Sequence, residues 1–160
     1  MSLVCFTRRR SVVKLFFFLM IRRPPRSTLD RSSAASDVYK RQQQINENAK
    51  LLCWHHVIPE MNHNELVGWR DERSDLAVLW LRSKDDYQRT SIRMDINKEI
   101  TDKLTKGSFE IWSKGKSFAE KAFYLVHLGD WLSWYLSEER GVDPVEIKVI
   151  DYLKSELAKV

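Results

Sequence analysis

Asp75-Leu76-Ala77-Val78-Leu79-Trp80-Leu81-Arg82 is a nearly continuous apolar run closed by a charge at each end. A strand with one wet face alternates apolar and polar residues. An unbroken run of this length instead fits a strand buried on both faces of a parallel sheet. The flanking segments agree with that choice. Gln43 to Leu52 holds good helix formers and no Gly or Pro, and predicts a helix. His55 to Pro59 reads as a short connection, extended before the proline. Asn62 or Asn64 can cap a short helix that glycine ends at Gly68. From Asp86 to Leu104, apolar residues recur four apart at Ile92, Ile96, Ile100 and Leu104, the stripe of an amphipathic helix. Ser108 to Trp112 predicts a second strand. Ser117 with Glu120 forms a capping box for a long helix from about Phe118 to Glu139, stopped by Gly141. Pro144 opens a last helix, to about Ala158.

The predicted order is helix, helix, strand, helix, strand, helix, helix. Such alternation means an α/β layered fold, a parallel sheet flanked by helices. At 160 residues one domain is expected. Two strands are too few for a sheet of this type, so the fold is expected to be partial and truncated at its N-terminal side.

Charge divides the chain. Residues 1–42 carry ten Lys or Arg against Asp30 and Asp37, whereas residues 43–160 carry seventeen basic and twenty acidic side chains. A nucleic-acid or membrane argument from the basic average therefore concerns the first segment alone. Its apolar run, Val12 to Ile21 broken by Lys14, is half of what a bilayer span needs, and Pro24-Pro25 would stop a surface helix. The string from Phe16 through Arg22-Arg23-Pro24-Pro25-Arg26-Ser27-Thr28-Leu29, then Ser33 to Gln42, resembles translated sequencing-adapter read-through. On that reading residues 1–42 are non-native or disordered and nothing in them packs against the remainder. Two cysteines, Cys5 and Cys53, cannot build a disulfide framework, which makes a reducing compartment the default.

The densest polar cluster is Pro59-Glu60-Met61-Asn62-His63-Asn64-Glu65, with Glu47 upstream between Asn46 and Asn48. Asn62 and Asn64 read as helix caps, and Glu65 as a charge suited to a first helical turn. From composition alone His63 reads first as a surface or satisfied core histidine and only second as a functional one. A zinc site would recruit Cys53, His55, His56 and His63, whose spacing matches no usual ligand pattern, so no metal is expected. Trp131 and Trp134, on a helix with Leu125, Leu128, Leu132 and Leu136, read as core. Lys154 among Ile150, Leu153 and Leu157 reads as a snorkelling lysine.

Four blocks together carry a resemblance: Asn46-Glu47-Asn48-Ala49-Lys50, Pro59 through Trp69, Leu128-Gly129-Asp130-Trp131-Leu132-Ser133-Trp134-Tyr135-Leu136, and Gly141-Val142-Asp143-Pro144 through Ile150-Asp151-Tyr152-Leu153-Lys154. They resemble the C-terminal part of the bifunctional phosphoglucose/phosphomannose isomerases, members of the sugar isomerase (SIS) domain superfamily. The resemblance covers everything after the adapter-like segment, and makes residues 43–160 the C-terminal part of a second SIS domain. It implies a cytoplasmic, homodimeric parent that interconverts glucose 6-phosphate or mannose 6-phosphate with fructose 6-phosphate, without metal or other cofactor, through a cis-enediol. It implies Glu47 as the enolising base, His63 as the ring-opening residue supplied across the dimer interface, and Lys154 as its partner. It assigns no nucleic-acid or membrane partner. The phosphate-clamping loops of the family lie mainly in the earlier half, so this polypeptide is expected to be inactive alone. A non-catalytic SIS module that binds phosphosugars and regulates a partner is the competing expectation.

Overall fold

A computed structural model describes residues 14–19, 42–105 and 107–160. Four parallel strands form one sheet in the order β2-β1-β3-β4, with β1 at Lys14–Leu19, β2 at Cys53–Val57, β3 at Leu76–Arg82 and β4 at Gly107–Trp112. Helix α1 covers residues 42–48. A 3₁₀ turn, Glu60–His63, leads into the single turn α2, Glu65–Gly68. Helix α3 spans Gln88–Asp102, α4 Phe118–Arg140 and α5 Lys148–Leu157. The expected α/β architecture, a parallel sheet flanked by helices, is present.

β3 is buried at all seven positions, as its unbroken apolar run requires. Trp80 and Val78 are wholly enclosed, and Ile45, Ile58, Met61, Met94 and Leu136 close the core around them. Burying each such side chain contributes about 1.5–3 kcal/mol. At the β3–β4 contact Ala77 faces Gly107, where an added Cβ would stand 2.3 Å from the Ala77 Cβ. Glycine is what lets those two strands approach.

The sheet corrects the two-strand expectation twice. Cys53–Val57 is a strand rather than a connection. Its Cys-Trp-His-His-Val sequence hides this because β2 is an edge, mostly half-buried, and needs no apolar run. Lys14–Leu19 lies within the segment set aside as adapter-like, yet pairs in parallel with β2 (Phe16 opposite Trp54) and with β3 (Phe16 opposite Val78). After Lys14 that stretch is an unbroken apolar run, which suits an inner parallel strand for the reason that β3 does. Cys5 and the rest of residues 1–41 lie outside the described residues.

Helix α3 is where expected and Leu104 at the end of the predicted stripe packs against the core, but the first half of that stripe faces out. It buries Thr90, Met94, Asn97 and Thr101, while Ile92 and Ile96 are 49% and 52% exposed. The reason is polar. Arg82, buried at the end of β3, donates to Ser91 Oγ at 2.7 Å, to Asp95 Oδ1 at 2.5 Å and to Glu110 Oε1 on β4 at 2.6 Å. Asn97 meets Asn62 from the opposite side. Hydrogen-bonding a buried guanidinium and amide outweighs hiding two isoleucines.

Helix α4 starts on the expected capping box: Ser117 Oγ accepts from the Glu120 N–H, and the Glu120 carboxylate accepts from the Ser117 N–H. It ends at Gly141, whose φ of 63° is the left-handed conformation that favours glycine there. The expectation that Trp131 and Trp134 are core is corrected. They are 48% and 42% exposed and stack edge-to-face on each other, while Leu136, Ser133 and Ser137 take the buried side. The buried stripe of α4 carries small hydroxyls, and one of them, Ser133, receives a hydrogen bond from α1. Helix α5 begins at Lys148, later than Pro144 suggested, and buries none of its residues.

Candidate active site

Glu47 lies in the last turn of α1, its side chain exposed. Both of its neighbours are held. Asn46 Oδ1 accepts from the backbone N–H of Cys53 at 2.7 Å, tying α1 to β2. Asn48 Nδ2 donates to Ser133 Oγ at 3.0 Å, tying α1 to α4, and Ser133 in turn donates to the Asp130 carbonyl. Two of the four sequence blocks are thus joined by one hydrogen bond. Ile45 and Ala49 plug the core one turn apart. Lys50 follows with φ 52°, an unusual conformation for a non-glycine residue, and its ammonium donates to the Glu47 carbonyl at 2.6 Å. A carboxylate so placed is exposed at its tip and fixed at its root. That is what a base that removes and returns a carbon-bound proton needs.

His63 is built the same way. It closes the 3₁₀ turn with its side chain exposed. Before it, Met61 is fully buried, and Asn62 Nδ2 donates to Asn97 Oδ1 on α3 at 2.7 Å. After it, Asn64 caps α2, its Oδ1 accepting from the Glu65 N–H at 2.5 Å. Asn46, Asn48 and Asn62 are therefore anchors to other elements, while Asn64, the cap expected from the sequence, bonds within its own turn.

Glu65 is the residue that reading as a first-turn charge missed. Its carboxyl group turns inward toward β2, where Trp54 and His56 share one face of the strand. Glu65 Oε2 lies 3.9 Å from His56 Nε2, and Oε1 is buried without a hydrogen bond. Burial pushes the carboxyl up from 4.5 to about 7, with hydrogen bonding from Trp69 and Trp54 drawing it part of the way back. His56 Nδ1 accepts the Val57 N–H at 3.2 Å, which puts the ring proton of the neutral form on Nε2, facing the carboxylate. No short motif signals this burial, because the indoles and the imidazole that create it come from β2 and from the far end of α2. On the opposite face of β2, His55 Nδ1 pairs with Gln42 Oε1 of α1 at 2.6 Å. Burial, with His56 adjacent, holds the His55 imidazole below its usual range.

Lys154 is exposed on α5. Among the described residues, no hydrogen bond or ion pair joins any two of Glu47, His63 and Lys154. β2 relates the first two, since α1 and the Glu60–Gly68 segment both attach to it. Among the described residues no three His, Cys, Asp or Glu side chains converge as metal ligands, and no helix is long and apolar enough to cross a membrane.

The family model for the bacterial phospho-glucose isomerase C-terminal SIS domain matches residues 29–157. That match begins inside the segment set aside from the sequence. A bifunctional phosphoglucose/phosphomannose isomerase of Aquifex aeolicus is 38% identical over 118 residues, covering 72% of this chain and 37% of that protein. The enzyme of the same name from Thermoplasma volcanium is 37% identical over 121 residues, covering 75% of this chain and 38% of its own. The crystal structure of a glucose-6-phosphate isomerase like protein from Thermus thermophilus shares the fold, with a TM-score of 0.56 at 19% identity over 83% of this chain and 40% of that one. This chain therefore spans well under half the length of the curated relatives it matches. With the α/β sheet, the anchored Glu47 and His63 segments and the family match all coinciding, the chain belongs to the bacterial phospho-glucose isomerase C-terminal SIS domain family.

Proposed function

We propose that this chain forms the C-terminal part of the second SIS domain of a sugar-phosphate aldose–ketose isomerase. The intact parent interconverts glucose 6-phosphate or mannose 6-phosphate with fructose 6-phosphate by metal-free acid–base chemistry. Support comes from the relatives' names and from one structural observation: Glu47 and His63 are each exposed between neighbours that are hydrogen-bonded in place.

In this proposal His63, assisted by Lys154, moves a proton from the C1 hydroxyl to the hexose ring oxygen, so that the C1–O5 bond breaks and the C1 carbonyl forms. The Glu47 carboxylate then takes the C2 proton of the aldehyde form. The electron pair of that C–H bond becomes the C1–C2 double bond of a cis-enediol as the carbonyl pair moves onto O1, a proton passes from O2 to O1, and the same carboxyl group returns its proton to C1 to leave the carbonyl at C2. Proton count and oxidation level balance without a redox partner. The exposure of His63 and Lys154 suits residues completed by a second subunit, and the parent is read as a cytoplasmic homodimer with His63 crossing the interface. The 160-residue chain alone is inactive on this reading. Without the earlier half it lacks the binding energy at the substrate's phosphate end that helps lower the barrier.

The test is Glu47→Gln in the intact parent. General base catalysis contributes roughly 10²–10⁴-fold. Turnover of glucose 6-phosphate is expected to fall by about 10³ while phosphosugar binding persists. Unchanged turnover refutes the mechanism and leaves a non-catalytic, phosphosugar-binding SIS module in its place.

A further inference from the structure

The segment carrying His63 touches the rest of the molecule through a small number of polar anchors. Met61 is its apolar plug, and Asn62 reaches α3 through Asn97. Both precede His63. After it, Asn64 bonds only within the segment, to the Glu65 N–H and to Glu60 Oε1 at 3.2 Å. Leu66 and Trp69 pack against the core on this side, and the polar link that ties it to the sheet is Glu65. Its carboxyl group lies between Trp54 and His56 of β2 and Trp69 at the close of α2.

Simple capping does not explain this geometry. A first-turn glutamate that merely complements a helix end stays in water, where its charge costs nothing. Glu65 instead turns under the turn, with Oε2 facing His56 Nε2 and Oε1 buried without a hydrogen bond. A carboxyl group held against desolvation in this manner costs stability, and what it gives in exchange is a fixed position for the turn that carries it. β2 is also the strand to which Asn46 ties the Glu47 helix. Glu65 therefore references the His63 turn to the same strand that references Glu47.

We infer that Glu65 is a positioning residue for His63: its carboxyl, seated against His56 between Trp54 and Trp69, docks the 59–68 turn on β2 and sets the direction in which the His63 imidazole leaves the surface. This rests on the reading of His63 as the ring-opening residue, and it adds to that reading a specific side chain with no contact to substrate.

The experiment uses the 160-residue chain with Glu65→Ala, Glu65→Asp and Glu65→Gln, followed by NMR of the histidine rings and by amide hydrogen exchange. In Glu65→Ala the exchange of the Asn64, Val67 and Trp69 amides, which donate to Met61, Asn64 and Leu66 carbonyls, is expected to rise at least tenfold. The β3 amides stay unchanged. The His63 ring resonances move, those of His127 on α4 do not, and Glu65→Gln, which keeps shape and length, restores His63. Glu65→Asp, one methylene short, gives the same displacement in part, and serves where the alanine variant does not fold. Turn protection within twofold of the unmodified chain in the Ala or Asp variant overturns the inference. So does a His63 signal that ignores them, or a rise in exchange equal in β3. Failure of the isomerase reading shows elsewhere, as turnover insensitive to Glu47→Gln, and leaves these shifts in place.

Discussion

Replacing Glu65 by Gln changes stability in a pH-dependent way whose sign follows from the burial of its carboxyl group. The folded chain raises that group from 4.5 to about 7, so it binds the proton more tightly than the unfolded chain does. The stabilising contribution of the protonated acid is complete below about 4.5. It is lost progressively as pH rises toward 7, and above that the folded state carries a constant penalty. The titratable group facing Glu65 from β2 is His56, and on its own segment Glu60 is linked through Asn64. At about 1.4 kcal/mol per unit the penalty amounts to roughly 3 kcal/mol. The 18% of the side chain left in water lowers it to about 2–3 kcal/mol. Glutamine never ionises. Relative to the unmodified chain, Glu65→Gln is therefore expected to gain about 2–3 kcal/mol between about pH 4.5 and pH 8. Urea unfolding at about pH 4.5, 6 and 8 measures this. With slopes of about 1–3 kcal/mol per molar urea, the two midpoints should separate by about 1 M or more at pH 8 relative to pH 4.5. A stability difference constant to about 0.5 kcal/mol across that range refutes the reasoning.

Two further outcomes test the scaffold. Gly107→Ala drives a methyl group against Ala77 at the β3–β4 contact, and should destabilise by about 1–3 kcal/mol in thermal or urea unfolding; a neutral result would mean that β4 lies farther from β3 than described. Ser117→Ala removes the α4 cap and should cost about 1 kcal/mol, with faster amide exchange confined to the first turn of that helix.

Some parts of this molecule are written locally. The β3 run is buried on both faces, and the α4 capping box and the Gly141 stop lie where residue chemistry puts them, because each depends on groups a few positions apart. The candidate residues Glu47 and His63 were legible through the blocks around them, and the asparagines of those blocks hold them. What those asparagines hold on to was not legible. Ser133 and Asn97 are remote in sequence, and neither carries a recognisable signal. The strands at Cys53–Val57 and Lys14–Leu19 were missed for a related reason. An edge strand needs no apolar pattern, and an apolar run reveals a strand only once its neighbours are known.

The sequence by itself determined the layered α/β class, the main helix boundaries and the segments that present polar side chains, all consequences of short-range periodicity and capping. The tertiary structure alone decided which face of α3 turns inward, that Trp131 and Trp134 face outward, and that Glu65 is buried against β2. Those outcomes turn on satisfying buried polar groups, Arg82, Asn62 and Asn48 among them, with partners far along the chain. The free energy of a buried hydrogen bond depends on where its partner stands in space, and local sequence does not state that distance.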